Sequence, residues 1–244
     1  MYNLGSFGFS EMMDCRSRIR AMIDADPETI GDGAEQVVRF FRDTFVDDAG
    51  EPVFPLVRLF KTHQYATMDE ELKEFARRIE PAADDISGLR CLVLLATDGD
   101  MPEWRSRRLS KGHQAIPLTS EGAVAGAPMI SQLVEQFGIP VATVIRPDPA
   151  LILDLGEKAY NVFYVPIATG SPYIVAQEDF VIPFGIRSVI GFGGMLATGD
   201  LFALILFSRV EIPPPVADLF KVIGLNLKLA MMRIARKPLF RSGE

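Results

Sequence analysis

Two cysteines and two histidines are the side chains of this 244-residue sequence best suited to nucleophilic, redox or metal chemistry. Cys15 lies on the apolar stripe of a predicted helix, and Cys91 lies near the start of a predicted buried strand. Buried cysteines usually pack as small hydrophobic side chains, so a cysteine-dependent enzyme is the less favoured alternative. Two isolated cysteines make neither a disulfide framework nor a zinc site, which is typical of a reducing cytoplasm. Since no other catalytic motif is present, we expect no catalytic residue and no enzyme.

The two histidines lie at the ends of a predicted strand and a predicted loop. His63 comes directly after a strand, and His113 comes after a basic loop. Neither has a second ligand three or four positions away, so no metal site is predicted. Each is either a loop histidine hydrogen-bonded to the backbone or a contact for a polar ligand.

A basic cluster follows the only tryptophan, Trp104, and consists of Arg105, Arg107, Arg108 and Lys111. Arginine binds carboxylates and phosphates through two parallel hydrogen bonds, and tryptophan offers a stacking face, so the cluster suits an anionic ligand. The other interpretation is a solvated loop. With 25 basic and 32 acidic residues, and a net charge of −7, we expect no nucleic-acid partner.

Tyrosines and glycines mark two further regions. Tyr160 and Tyr164 share one face of a predicted strand, and Tyr173 lies in the following loop, where it would cover a pocket. Tyrosine suits both a small-molecule site and a protein core. The glycine-rich run at 191–194 lacks the features of a nucleotide motif, so it marks either a close backbone approach or a place where a ligand comes near.

Hydrophobic periodicity predicts a mixed chain of helices and strands. Helices are expected at 11–23, 32–45, 128–137 and 214–236, with another between the Thr67-x-x-Glu70 capping box and Pro81. Strands are expected at 56–62, 90–97, 141–145, 160–165, 186–196 and 201–208. The last two form a hairpin rather than a membrane span, because glycines and the Thr198-Gly199-Asp200 turn interrupt the run. With no predicted signal peptide or membrane insertion, we expect a cytoplasmic protein.

The helix at 214–236 carries two apolar stripes. Val216, Phe220, Ile223 and Leu227 belong to the first, and the second comprises Val222, Leu225, Leu229 and Met232. One stripe is enough to dock a helix on a sheet, so the second needs another partner. That partner is either the N-terminal helices or the same helix of a second subunit, and we expect a homodimer.

The order of helix, strand, insertion, hairpin and long exit helix resembles GAF domains, the small-molecule sensor modules of bacterial signalling proteins. The closest local match is 182–234, where a Gly185-Ile186-Arg187-Ser188 strand, the Gly199 turn and the final helix follow one another. Segments 56–63, 110–118 and 184–207 are also similar to the N-terminal input region of bacterial sensor histidine kinases. The resemblance implies an α+β fold with a central, mostly antiparallel sheet of five or six strands. Terminal helices would cover one face, and loops with the short helix at 128–137 would cover the other.

The resemblance also divides the chain and assigns a role. Residues 1–30 would be an N-terminal helical extension, and 31–244 a GAF-like sensor domain with long insertions at 98–127 and 146–180. It would act in a bacterial two-component or similar signal-transduction system, with a kinase or another output module as partner. A ligand between the sheet and its loops would bias the packing of the terminal helices. The alternative is a scaffold that dimerises without a ligand.

The sequence names neither a ligand nor a cofactor, but it gives a set of candidate ligand-binding residues: Arg58, His63, Trp104, Arg108, His113, Tyr164, Tyr173 and Arg187. Whether Trp104, Tyr173 and Arg187 surround an open cavity or a filled core separates the sensor from the scaffold.

Overall fold

A six-stranded antiparallel sheet forms the centre of the computed structural model, which describes residues 1–81, 88–148 and 161–241. The strands in chain order are β1 (Tyr2–Asn3), β2 (Phe45–Val46), β3 (Leu56–Gln64), β4 (Arg90–Gly99), β5 (Ala115–Pro117), β6 (Val162–Val165), β7 (Ser188–Met195) and β8 (Leu201–Ser208). The sheet order is β5-β4-β3-β8-β7-β6, while β1 and β2 form a separate parallel pair. The prediction of a mostly antiparallel sheet of five or six strands is confirmed.

Helices lie on both faces of this sheet. They are α1 (Phe9–Asp24), α2 (Ile30–Thr44), α3 (Glu70–Ile79), α4 (Glu121–Ala125), α5 (Pro128–Gln136), α6 (Val141–Ile145) and α7 (Pro214–Ile234). The first three and α7 share one hydrophobic cluster with one face, hereafter the helix face, and α4 to α6 share another cluster with the opposite face. Among the described helices, none has the length and hydrophobicity that a membrane span requires.

Strand alternation explains how one sequence supplies both clusters. On β3, Val57 and Leu59 join the helix-face cluster, whereas Leu56 and Phe60 join the opposite one. Every residue of β7 and β8 is buried, since both strands lie inside the sheet and are covered on both sides. This accounts for the continuous apolar run in that part of the sequence.

The two stripes of α7 have different environments. The first stripe is buried against the sheet, with Phe220, Ile223 and Leu227 completely inaccessible. The second stripe points outward, where Leu229 keeps 54% of its surface exposed and Met232 keeps 40%. Helix α1 packs along α7 but leaves this second stripe uncovered within the described residues.

The segment that follows α7 turns back onto the start of α2. The carbonyls of Pro238 and Leu239 accept hydrogen bonds from the backbone N–H groups of Ile30 and Gly31, at 2.9 and 2.8 Å. A Cβ atom at Gly31 would lie 2.7 Å from the ring of Phe240, so only glycine admits this close contact. The tail therefore satisfies N–H groups in the first turn of α2 that have no partner within the helix.

Some sequence-based boundaries need correction. Residues 141–145 form helix α6, which begins directly after Pro140, and the predicted strand is wrong. A five-residue apolar run rich in β-branched residues is compatible with either a strand or a short helix, so its pattern did not distinguish the two. The insertion at 98–127 contains β5 and α4, and β4 continues to Gly99. Tyr160 and part of the predicted insertion at 146–180 lie outside the described residues.

Candidate functional site

A cavity of about 520 Å³ lies on the sheet face opposite the helix face, which we call the cavity face. Its floor consists of side chains from β3, β4 and β8, and its walls come from α5, the loop that follows β4, and residues 173–180, which we call the lid segment. The hydrophobic lining includes Leu56, Phe60, Leu92, Ile116, Met129, Ile130, Leu133, Ile174, Val175, Leu201, Ala203, Ile205 and Phe207. Both its size and its apolar lining are typical of small-molecule sites.

Arg58 is the cationic side chain of the cavity floor. It stands between Thr97 of β4 and Ile205 of β8, in the middle of the sheet. Its Nε is buried and has no hydrogen-bond partner among the described residues, and no described carboxylate lies within 4.0 Å of its guanidinium. Burial lowers the pKa of Arg58 to about 10, so the group is still charged at pH 7.

His113 lines the same cavity. Desolvation, followed by the positive charge of Arg58, lowers the pKa of His113 to about 4, although the side chain keeps an exposed surface. The imidazole is therefore neutral at pH 7 and can donate or accept one hydrogen bond. The polar part of the floor consequently carries a single positive charge.

Aromatic side chains close the cavity on the side of the lid segment. Trp104 lies with its ring centroid 4.5 Å from that of Phe184 and 5.5 Å from that of Phe180. Phe180 in turn meets Phe207 of the floor edge-to-face at 4.9 Å. Tyr173 and the exposed Asp179 complete the lining here. The structure thus brings Arg58, Trp104, His113 and Tyr173 of the predicted residues to one cavity.

The other four predicted ligand-binding residues lie elsewhere. His63 is five positions from Arg58 on β3, an odd number, so strand alternation places it on the helix face. There its Nε2 lies 3.1 Å from Thr67 Oγ1. Desolvation, with Lys61 and Arg90 nearby, lowers the pKa of His63 to about 4.

Tyr164 and Arg187 form contacts within the chain, away from the cavity. The Tyr164 hydroxyl donates a hydrogen bond to the carbonyl of Ile212, just before α7. Arg187 is exposed and forms an ion pair with Glu211 at 2.6 Å. Neither lines the cavity.

Arg108 and its neighbours border a second cleft of about 450 Å³ between α2 and β4. Arg108 forms an ion pair with Glu71 at 3.1 Å, and Arg105 donates to the carbonyls of Gly99 and Asp100. The guanidinium of Arg107 lies 3.5 Å from the ring centroid of Phe240. These contacts tie the loop to the rest of the protein, which favours the structural interpretation of the basic cluster.

Sequence reasoning did not identify a buried charge cluster at the β7–β8 turn. Asp200 accepts from Lys61, whose Nζ lies 2.6 Å from Oδ2, and it also forms an ion pair with Arg90. Thr62 Oγ1 accepts the backbone N–H of Leu201 at 2.9 Å beside this cluster. Burial and the second cation lower the pKa of Lys61. A lysine within the apolar pattern of β3 was the available signal, since buried lysines need a partner.

The remaining candidates have structural roles. Burial raises the pKa of Cys91 to about 12 and also raises that of Cys15, so both thiols stay protonated at neutral pH. In the glycine-rich run, a Cβ at Gly193 would lie 2.1 Å from the carbonyl oxygen of Phe202, and no residue of 191–194 lines the cavity. Within the described parts of the chain, no three His, Cys, Asp or Glu side chains are grouped so that they could hold a metal ion.

A scan of the sequence against protein-family models gives no match, and a search of curated proteins gives no significant match.

Proposed function

We propose that this protein is a non-catalytic, GAF-like sensory module that binds a small molecule in the cavity and signals through its terminal helices. The observation that carries the proposal is the open apolar cavity of about 520 Å³ whose floor holds half-buried Arg58, with its Nε buried and without a described acceptor. Monomeric proteins fill their cores closely, so a void of this size lined by hydrophobic side chains is the expected place for a ligand. The cavity favours the sensor over a scaffold with a filled core.

The order of elements supports the GAF-like assignment. Helix α2, strand β3, the insertion, the β7–β8 hairpin and the long exit helix α7 follow one another as the resemblance implies. The cavity lies between the sheet and the 98–127 and 166–180 segments, where the sensor hypothesis expects a ligand. The glycine-rich part of β7 does not line it, so the site is displaced towards β3, β4 and β8.

The sheet provides a physical route from ligand to helices. In β8, Ala203 and Ile205 line the cavity, while Leu204 between them packs in the helix-face cluster. Strand β8 pairs with β7, whose Phe192 ring lies 5.5 Å from that of Phe220 in α7. A ligand that shifts β8 and β7 therefore changes the packing of α7, provided that it binds two arrangements with different affinity.

The outward stripe of α7 supports homodimerisation. Val222, Leu225, Leu229 and Met232 are separated by three, four and three positions, the spacing of a coiled-coil seam. A second copy of this helix presents the same pattern, so the stripe is self-complementary in a symmetric dimer. An output module or kinase would read the arrangement of this pair.

Native mass spectrometry of the protein purified from its own cell tests the binding proposal. We expect the folded protein to carry a small molecule that is released on unfolding. The variant Ala203→Phe places a ring in the cavity and should lose that molecule, and Ala127→Phe at the wall should weaken its retention. Ala142→Phe adds the same ring at an exposed position outside the cavity and should retain it. Retention by both cavity variants contradicts the proposed site.

The same spectra test the dimer. We expect two subunits per particle for the wild type and one for Leu229→Lys, because a charge then enters the seam. A monomeric wild type, or an unchanged dimer in Leu229→Lys, contradicts the role of α7.

A further inference from the structure

We infer that the ligand of the cavity is a monocarboxylate with an apolar body, whose carboxylate binds Arg58. This inference rests on the proposed function, since it names the chemical class of molecule that the cavity takes. It follows from the charge of the cavity floor, the number of charges in the lining and the hydrophobicity of the walls.

The floor requires a negatively charged partner. A buried charge is stable only when it is paired or hydrogen-bonded, and the Nε of Arg58 is buried with no acceptor among the described residues. Arg90 also has a buried Nε without an acceptor, but its Nη2 forms an ion pair with Asp200, whereas no described carboxylate lies within 4.0 Å of the Arg58 guanidinium. The guanidinium of Arg58 offers the donor geometry that matches a carboxylate through two parallel hydrogen bonds.

The number of charges selects a monoanion. Arg58 supplies one positive charge, and the neutral imidazole of His113 adds a hydrogen bond rather than a second charge. The exposed Asp179 adds a carboxylate to the lining, which disfavours a second negative group beside it. A dianionic phosphate or a dicarboxylate would leave one charge without a partner in an apolar enclosure.

The walls determine the rest of the molecule. Aliphatic side chains from α5 and β8 and the rings of Trp104 and Phe180 cover most of the cavity. An apolar chain or ring system gains free energy by leaving water for this surface. The fit is therefore to an amphipathic acid whose head meets the sheet and whose body lies under α5 and the lid segment.

Two matched probe pairs test the inference on the 244-residue chain. The first pair is 1-pyrenebutyrate and 1-pyrenebutanol, which have the same body and differ in the head group, with binding followed by pyrene fluorescence. The second pair is decanoate and 1-decanol, measured by displacement of the bound pyrene probe. We expect each acid to bind about tenfold or more tightly than its alcohol, as a charge-assisted hydrogen bond to a buried arginine implies.

Three variants connect the preference to Arg58. In Arg58→Met the preference should disappear while the alcohols still bind, and in Arg58→Lys part of it should remain, because lysine keeps the charge without the paired donors. Arg187→Met removes an exposed arginine outside the cavity and should leave the preference unchanged. Circular dichroism and thermal unfolding confirm that each variant is folded.

The outcomes separate the two proposals. Equal binding of acids and alcohols by the wild type overturns the carboxylate inference but leaves the cavity as a small-molecule site. A preference that persists in Arg58→Met overturns the assignment of Arg58. Failure of all four probes to bind the folded wild type overturns the proposed function together with the inference.

Discussion

The two faces of the central sheet differ in how closely their hydrophobic side chains pack. On the helix face, rings from α2, α7 and β7 meet directly, and Phe220 lies between Phe7 and Phe192 at centroid distances of 5.5 Å. On the cavity face, side chains of comparable hydrophobicity surround about 520 Å³ of space. A filled face provides stability, whereas a face with an open cavity gives up packing energy and offers space for a ligand.

Buried Arg90 and half-buried Arg58 differ in a similar way, because only the first has a described carboxylate partner. Arg90 shares Asp200 with Lys61, so the chain itself supplies the anion. Arg58 has no such partner among the described residues. Under the proposed function, the anion at the first site comes from the chain and the anion at the second comes from a ligand.

The largest expected effect concerns the filled face. Phe220→Ala removes a ring that is fully buried and should lower the free energy of unfolding by about 4 kcal/mol, since a cavity replaces close packing. Phe180→Ala, a half-buried ring of the lid segment, should cost only about 1 kcal/mol. Urea denaturation measures both. Equal losses would show that the two faces contribute alike.

Asp200→Asn should destabilise the protein by about 3 kcal/mol, because two buried cations then lose their carboxylate. The control Glu211→Gln removes the exposed partner of Arg187 and should change the free energy of unfolding by less than about 0.5 kcal/mol. Adding Lys61→Met to Asp200→Asn should recover part of the loss, since one uncompensated cation is removed. A fully stable Asp200→Asn protein would contradict the role of the cluster.

The histidines of the two faces should respond differently to acid. The pKa of His63 is about 4 in the folded state and about 6.5 in an unfolded chain, so the unfolded state binds the proton first as the pH falls. Stability that is fully present above pH 6.5 is therefore lost between pH 6.5 and 4, by about 3 kcal/mol. Denaturation across this range should show a shallower loss for His63→Gln than for the wild type.

His113→Gln is the matched variant on the cavity face. Its imidazole is exposed, so solvent screens the charged form and the change in slope should be smaller than for His63→Gln. Identical slopes for the wild type and His63→Gln would show that the His63 environment does not couple folding to protonation.

The smallest expected change in the free energy of unfolding is an increase rather than a loss. Arg58→Met should raise the free energy of unfolding of ligand-free protein by about 1 kcal/mol, because an unpaired buried cation is replaced by an apolar side chain of similar length. The protein is first unfolded and refolded to remove any bound molecule. Arg187→Met, at an exposed ion pair, should change stability by less than about 0.5 kcal/mol. A loss of stability in Arg58→Met would mean that the chain already satisfies this charge.

Much of the architecture follows from local pattern. The spacing along α7 predicted two apolar stripes, one of them for the sheet, because a helix on a sheet repeats its contacts every three or four residues. The β7–β8 hairpin was predictable because two apolar runs flank a Thr-Gly-Asp turn. The strand predicted at 141–145 was wrong, since a short apolar segment is compatible with either periodicity.

The residues of the candidate site were harder to predict from the sequence than the helices and strands. Residue type singled out Trp104, His113 and Tyr173, all of which line the cavity, but type alone did not separate them from His63 and Arg187. For β3, alternation between Arg58 and His63 was a usable signal. The contribution of α5 to the wall, and the meeting of Lys61 with Asp200, depend on long-range packing that no local pattern encodes.

The segment that follows α7 packs against the start of α2, and this contact limits how a movement of α7 can be passed on to anything joined after it. Because Pro238 and Leu239 hold Ile30 and Gly31, the chain changes direction soon after Ile234 instead of continuing along the helix axis. A straight helical extension of α7 would have to peel this segment away and uncover two amide groups and the ring of Phe240. Rotation or sliding of α7 would thus act first on α2. A reporter joined to the C-terminus would respond only after the hydrogen bonds of Pro238 and Leu239 to α2 had broken.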